Sequence, residues 1–186
     1  TPQENQYFVR EIVWSPNGQY MAFIIAGHTT HPDPTNEDGV QVYFPGEVEA
    51  RTLLRDAPTQ GHPGYQAGGT RDFLHRSTAI DWSPDSSRMI VRVEITDYFD
   101  GTLRGALFVV GLNQPDTSQP PSLRYGYGSW TRDGGQIVVS GRDPNDNVII
   151  GVVTPDGSNL NILLDASARG LWGQDAVQAS DGRIYA

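Results

Sequence analysis

The chain has no cysteine and no lysine. Without cysteine there is no disulfide framework, no thiol nucleophile and no thiolate metal ligand. Without lysine there is no Schiff base and no lysine general base. All 13 basic residues are arginines, set against 22 acidic ones, for a net charge of −9. That balance excludes the basic surface on which binding to a phosphate backbone depends. No apolar run approaches the roughly 20 residues that span a bilayer, so no membrane span is expected. Helical periodicity is missing throughout.

Turn formers are plentiful instead, with 21 glycines and 13 prolines among 186 residues. They are not scattered. Val13-Trp14-Ser15-Pro16-Asn17-Gly18 returns as Asp81-Trp82-Ser83-Pro84-Asp85-Ser86 and as Ser129-Trp130-Thr131-Arg132-Asp133-Gly134. A degraded copy is Val177-Gln178-Ala179-Ser180-Asp181-Gly182. Trp82 and Trp130 are 48 residues apart, as are Trp130 and Gln178, whereas Trp14 and Trp82 are 68 apart. The extra length falls in His28–Gly39 and Ala57–Arg71, polar Pro/Gly-rich stretches that read as loop insertions. Self-similarity at such a period marks a repeat architecture.

The hexapeptide encodes a tight hairpin. Proline presets φ at the first central turn position, Asp or Asn suits the next, and glycine takes a left-handed position that closes a three-residue loop. Ser86 stands where that glycine is expected, so its turn should be strained or closed differently. Apolar runs after each turn give strands at Tyr20–Ile25, Met89–Ile95 and Gln136–Gly141. Further strands are expected at Val40–Phe44 and Arg51–Leu54, Ala106–Leu112 and Ser122–Tyr125, and Val148–Val153 and Leu160–Leu164. Each tryptophan then sits at the end of a first strand, where it can pack between neighbouring repeats.

Trp-Ser-Pro-Asp-Gly followed by an apolar strand, with a second turn such as Thr154-Pro155-Asp156-Gly157-Ser158-Asn159, resembles the WD40-like repeat called PD40. The resemblance covers about Glu11 to Ala186. It implies an all-β fold, a TolB-like β-propeller of four-stranded antiparallel blades, here three blades plus the start of a fourth. The blades would cover about 11–57, 76–125, 127–165 and 174–186, preceded by an extension or strand at 1–10. Propellers typically need 4–8 blades to close. Three ways of covering the open ends follow: the chain is a piece of a longer propeller, two copies join as a homodimer or by edge pairing, or Gln6–Arg10 adds a strand to the last blade.

The resemblance leaves function open, since such repeats occur in periplasmic TolB and in the propeller domains of prolyl-oligopeptidase-type peptidases. The expected function is a non-catalytic scaffold that binds a protein or peptide outside the cytoplasm. The alternatives are an accessory propeller of a peptidase or hydrolase, and a carbohydrate-binding propeller. No catalytic residue, cofactor or metal site is assigned. The cluster His28, His31, Asp33, Glu37 and Asp38 lacks the defined ligand spacing of a zinc site. Asp143, Asn145, Asp146 and Asn147 lack the spaced ligands and terminal Glu of a calcium loop. Gly126-Tyr127-Gly128-Ser129-Trp130 superficially matches a nucleophile elbow, with its serine one place late. The candidate binding surface consists of Tyr98, Phe99, Tyr125 and Tyr127, with His28 and His31 in an inserted loop.

Overall fold

The computed structural model describes residues 7–27, 39–56, 73–97, 103–113, 122–123, 126–142, 147–165, 177–179 and 182–185. Among these residues there is no helix. Strands β1 (Tyr7–Trp14), β2 (Met21–Gly27), β3 (Gly39–Tyr43) and β4 (Arg51–Arg55) form the first antiparallel sheet, in chain order. Strands β5 (Phe73–Trp82), β6 (Arg88–Asp97), β7 (Leu103–Gly111) and β8 (Ser122–Leu123) form the second. The third is built from β9 (Tyr127–Trp130), β10 (Ile137–Arg142), β11 (Val148–Val153) and β12 (Leu160–Asp165). A hairpin of β13 (Val177–Gln178) and β14 (Ile184–Tyr185) begins a fourth. The molecule is three blades of a β-propeller and the start of another.

The turns share one hydrogen-bond circuit. In the first, Gly18 N–H donates to the Ser15 carbonyl at 2.8 Å and Ser15 N–H to the Tyr20 carbonyl at 2.9 Å. The loop between Ser15 and Tyr20 is therefore Pro16–Gln19, one residue longer than the three-residue loop expected. Side chains hold the added residue: Asn17 Oδ1 accepts from Gln19 N–H at 2.9 Å and Ser15 Oγ from Tyr20 N–H at 2.9 Å. The same circuit recurs at Ser83/Asp85, Thr131/Asp133 and Thr154/Asp156. Ser86 closes its turn as the glycines do, with φ of 61° beside 69° at Gly18 and Gly134. Left-handed backbone is strained for a residue with a Cβ. Here the hydroxyl has a use that glycine lacks, because Ser86 Oγ accepts Asn17 N–H from the previous blade at 3.1 Å.

The blades pack face to face in sequence order. Ala22, Ile24, Val40, Val42, Leu53 and Leu54 of the first bury against Ile80, Trp82, Met89 and Val91 of the second. The opposite face of the second blade, with Ile90, Leu107 and Val109, buries against Trp130, Ile137 and Val153 of the third. Val138, Ile150 and Val152 then meet Ile184 of the last hairpin. Both faces of each inner sheet are apolar, so each repeat is stabilised through its neighbours. Gly128 shows how close the approach is: an added Cβ would come within 2.5 Å of Leu107 Cδ1 in the blade before it.

The expected strands fall on observed ones, with Ser122–Tyr125 described at Ser122–Leu123 alone, and the first strands, read as Ile12–Trp14 and Ile80–Trp82, run further. β1 begins at Tyr7, and Tyr7–Val9 pair with Gly27–Ile25 beyond a bulge. The segment considered as a strand for the last blade is thus an extension of the first. β5 and β6 likewise pair from Trp82↔Met89 out to Phe73↔Asp97.

The side-chain oxygens in the turns set acid stability. The Ser83 hydroxyl, then the N–H and hydroxyl of Ser87, hold the Asp85 carboxyl down at about 2 from 3.8. A carboxylate lowered on folding contributes stability above its unfolded pKa and loses it as pH falls through the folded value. Asp85→Asn keeps the acceptor oxygen, as Asn17 does in the first repeat. The variant, which resembles the protonated carboxyl, is expected to be less stable than the wild type near neutrality and to converge with it as pH falls from 4 to 2. Urea midpoints across that range check this.

Candidate interaction surface

Strand register makes the repeats comparable residue by residue. Trp82 lies opposite Met89, which lies opposite Val110. Trp130, Ile137 and Val153 form the same row in the third blade. In both, the tryptophan faces the preceding blade. Trp82 is 5% exposed and donates its indole N–H to the Val13 carbonyl at 3.2 Å. Trp130 is 7% exposed and donates to the Asp81 carbonyl at 3.2 Å. The acceptor each time is the main chain just before the previous repeat's tryptophan. The residue six places beyond that tryptophan covers the ring: Tyr20 stacks on Trp82 at 6.3 Å, and the Arg88 guanidinium lies 4.7 Å over Trp130. This bears out the expected packing between repeats at Trp82 and Trp130.

Trp14 departs from it. Its row is Trp14, Met21 and Tyr43, yet Trp14 is 61% exposed and Tyr43 39%. No described residue accepts the indole N–H. Ile12, in the next row with Phe23, is 58% exposed, and Val9, paired with Ile25, is exposed as well. The counterparts of Ile12 and Phe23, Ile80 and Val91, are buried in the second blade. Gln41, which completes the Ile12–Phe23 row where the second blade has Phe108, is buried too. The first blade therefore carries a half-interface: exposed Val9, Ile12 and Trp14 along β1, with Tyr43 at the end of the Trp14 row, in places that resemble the covered rows elsewhere in the chain. A contiguous exposed apolar patch of this kind marks an interaction site.

The carboxylates at the blade joints serve the backbone. Glu11 Oε2 accepts Ile80 N–H at 2.9 Å, and Asp81 Oδ2 accepts Trp130 N–H at 3.0 Å. Burial pushes both carboxyls above their ordinary range, and the backbone N–H bonds pull the other way. Asp56 Oδ1 accepts both the N–H and the hydroxyl of buried Ser77, at 2.9 and 2.6 Å. Across the turns, Arg88 Nη2 donates to the Gly134 carbonyl at 3.1 Å, and Arg132 N–H to Gln178 Oε1 at 3.1 Å. Spacing in the sequence gave no sign of these carboxylate bonds, since donor and acceptor stand 69 and 49 residues apart.

Of the candidate binding-surface residues, Tyr127 falls among the described ones. It is half-buried at the start of β9, with the Arg92 guanidinium 3.8 Å from its ring centre, between the second and third blades. Arg92 also approaches Glu94 at 3.9 Å, while its buried Nε has no acceptor among the described residues. Tyr98, Phe99, Tyr125, His28 and His31 lie outside the described residues. Among the described residues no group of three or more His, Asp or Glu is placed to hold a metal ion. No described helix is long and apolar enough to cross a membrane.

Among solved structures, TolB from Acinetobacter baumannii is similar, at 11% identity and a TM-score of 0.28, over 87% of this chain. The match spans 45% of that chain, so the present sequence covers less than half its length. No family model matches the sequence, and no curated protein matches it.

Two substitutions separate charge from hydrogen bonding at Asp81. Its raised pKa means that the folded state holds the proton more tightly, so its contribution to stability falls as pH rises above 3.8. Asp81→Asn keeps an oxygen for Trp130 N–H without the buried charge, and is expected to be more stable than the wild type at pH 7. Asp81→Ala strands that N–H and is expected to lose about 1–3 kcal/mol. Denaturation at pH 5 and pH 7 distinguishes them.

A parallel comparison tests the half-interface. Trp130→Ala is expected to cost about 3–5 kcal/mol, the range for emptying a buried aromatic site. Trp14→Ala, at an exposed position, should stay within about 0.5 kcal/mol of the wild type. Urea titrations followed by circular dichroism supply both values.

Proposed function

We propose that the protein is a non-catalytic propeller scaffold that binds a protein partner or an extended peptide through the outer face of its first blade. The observation that carries this reading is the exposure of Trp14, Ile12 and Tyr43 in register positions that are buried in the next blade. Aromatic side chains in such a patch suit interface hot spots, because they supply large contact area with few rotatable bonds.

The use made of the described carboxylates supports a binding role over catalysis. Asp85, Asp133 and Asp156 are held low by turn hydroxyls and N–H groups. Glu11 and Asp81 are spent on backbone donors of the following blade. The resemblance of the repeated hexapeptide to PD40 repeats favours a TolB-like scaffold outside the cytoplasm.

Panning a displayed library of extended peptides against the protein tests the surface. Selected binders are expected to lose at least about tenfold in affinity, or about 1.4 kcal/mol, against Trp14→Glu. Binders that hold the variant as tightly as the wild type would place the interaction elsewhere and remove this reading.

A further inference from the structure

The chain carries both halves of one blade–blade joint, at opposite ends of its stack. The receiving half is the first blade's outer face, with Trp14, Met21 and Tyr43. The giving half can be located by register on the last hairpin. Ala179 N–H donates to the Arg183 carbonyl as Ser83 does to Arg88 and Ser15 to Tyr20. Arg183 therefore holds the place of Arg88, the residue that covers Trp130, and of Tyr20, the residue that covers Trp82. Val177 pairs with Tyr185 as Val13 pairs with Ala22 and Asp81 with Ile90. Its carbonyl holds the place of the two main-chain oxygens that accept an indole. Ala22, Ile90 and Val138 each point at the blade that follows, and Tyr185, in their place, is 51% exposed.

We propose that a second copy of this chain occupies the first blade's outer face, packed head to tail. Trp14 of one copy donates its indole N–H to the main-chain carbonyl of Val177 in the other and lies beneath that copy's Arg183, with Tyr185 against the patch. This rests on the binding role proposed above and names the occupant. A contact between two different surfaces of the same chain is heterologous, and it either closes into a ring or continues. Continuity with two joints already built in the chain selects this occupant: the donor, the acceptor and the covering residue repeat at the same register. Each copy carries a charge of −9, which opposes association, so moderate salt favours it.

Light scattering after size exclusion, from about 1 to about 100 µM chain in 0.15 M salt, reads the result as mass. The wild type is expected to pass from the mass of one chain to that of two or more. Trp14→Glu and Tyr185→Glu, both at exposed positions, are each expected to stay at one chain. An equimolar mixture of the two is expected to regain the mass of a pair, since one variant keeps the giving end and the other the receiving end. That recovery also shows that both variants are folded. A wild type that keeps the mass of one chain throughout overturns the proposal. So does a Tyr185→Glu variant that still pairs, which would mean that like faces meet. The peptide-binding loss on Trp14→Glu is read separately, so a monomeric protein that binds peptides removes the head-to-tail pair and leaves the binding surface standing.

Discussion

A four-stranded sheet with apolar side chains on both faces is not stable alone in water; it must be covered on each side. Every other feature of this molecule follows from how one sheet is fixed on the next. Area alone would let two apolar faces slide, because the hydrophobic effect has no direction. Direction comes from polar bonds made inside the apolar joint: an indole N–H to a main-chain carbonyl, and a carboxylate to a main-chain N–H. In a desolvated setting an unmade bond is expensive, so each joint has one favoured register.

The turns act as a second set of pins at one end of the sheets. The serine or threonine and the Asp or Asn of the first three hexapeptides close the loop internally. The loops also touch in series, through Asn17 to Ser86, Arg88 to Gly134 and Arg132 to Gln178. Ser86 shows a balance of local strain against long-range bonding. It adopts a glycine-like conformation and uses its hydroxyl to hold the turn 69 residues earlier.

The period of the hexapeptide and the alternating runs after it were enough to read the blades from sequence, because each hairpin is encoded locally. Strand lengths were harder, since β1, β5 and β6 extend through pairings with no sharp compositional edge. Three identical-looking tryptophans proved different in exposure. That difference depends on which neighbour is present, a property of the assembly that a local motif does not contain. The roles of Glu11 and Asp81 carried no signal in the sequence for the same reason: their partners are backbone groups of the next repeat.

Because each indole bonds to a main-chain oxygen, no side-chain change in the preceding repeat can delete the acceptor. The joints are thus tolerant of drift on one side and strict on the other. A repeat that brings its own tryptophan can therefore dock on any preceding main chain of this shape, whereas the last hairpin, with Gln178 in that place, accepts Arg132 N–H instead.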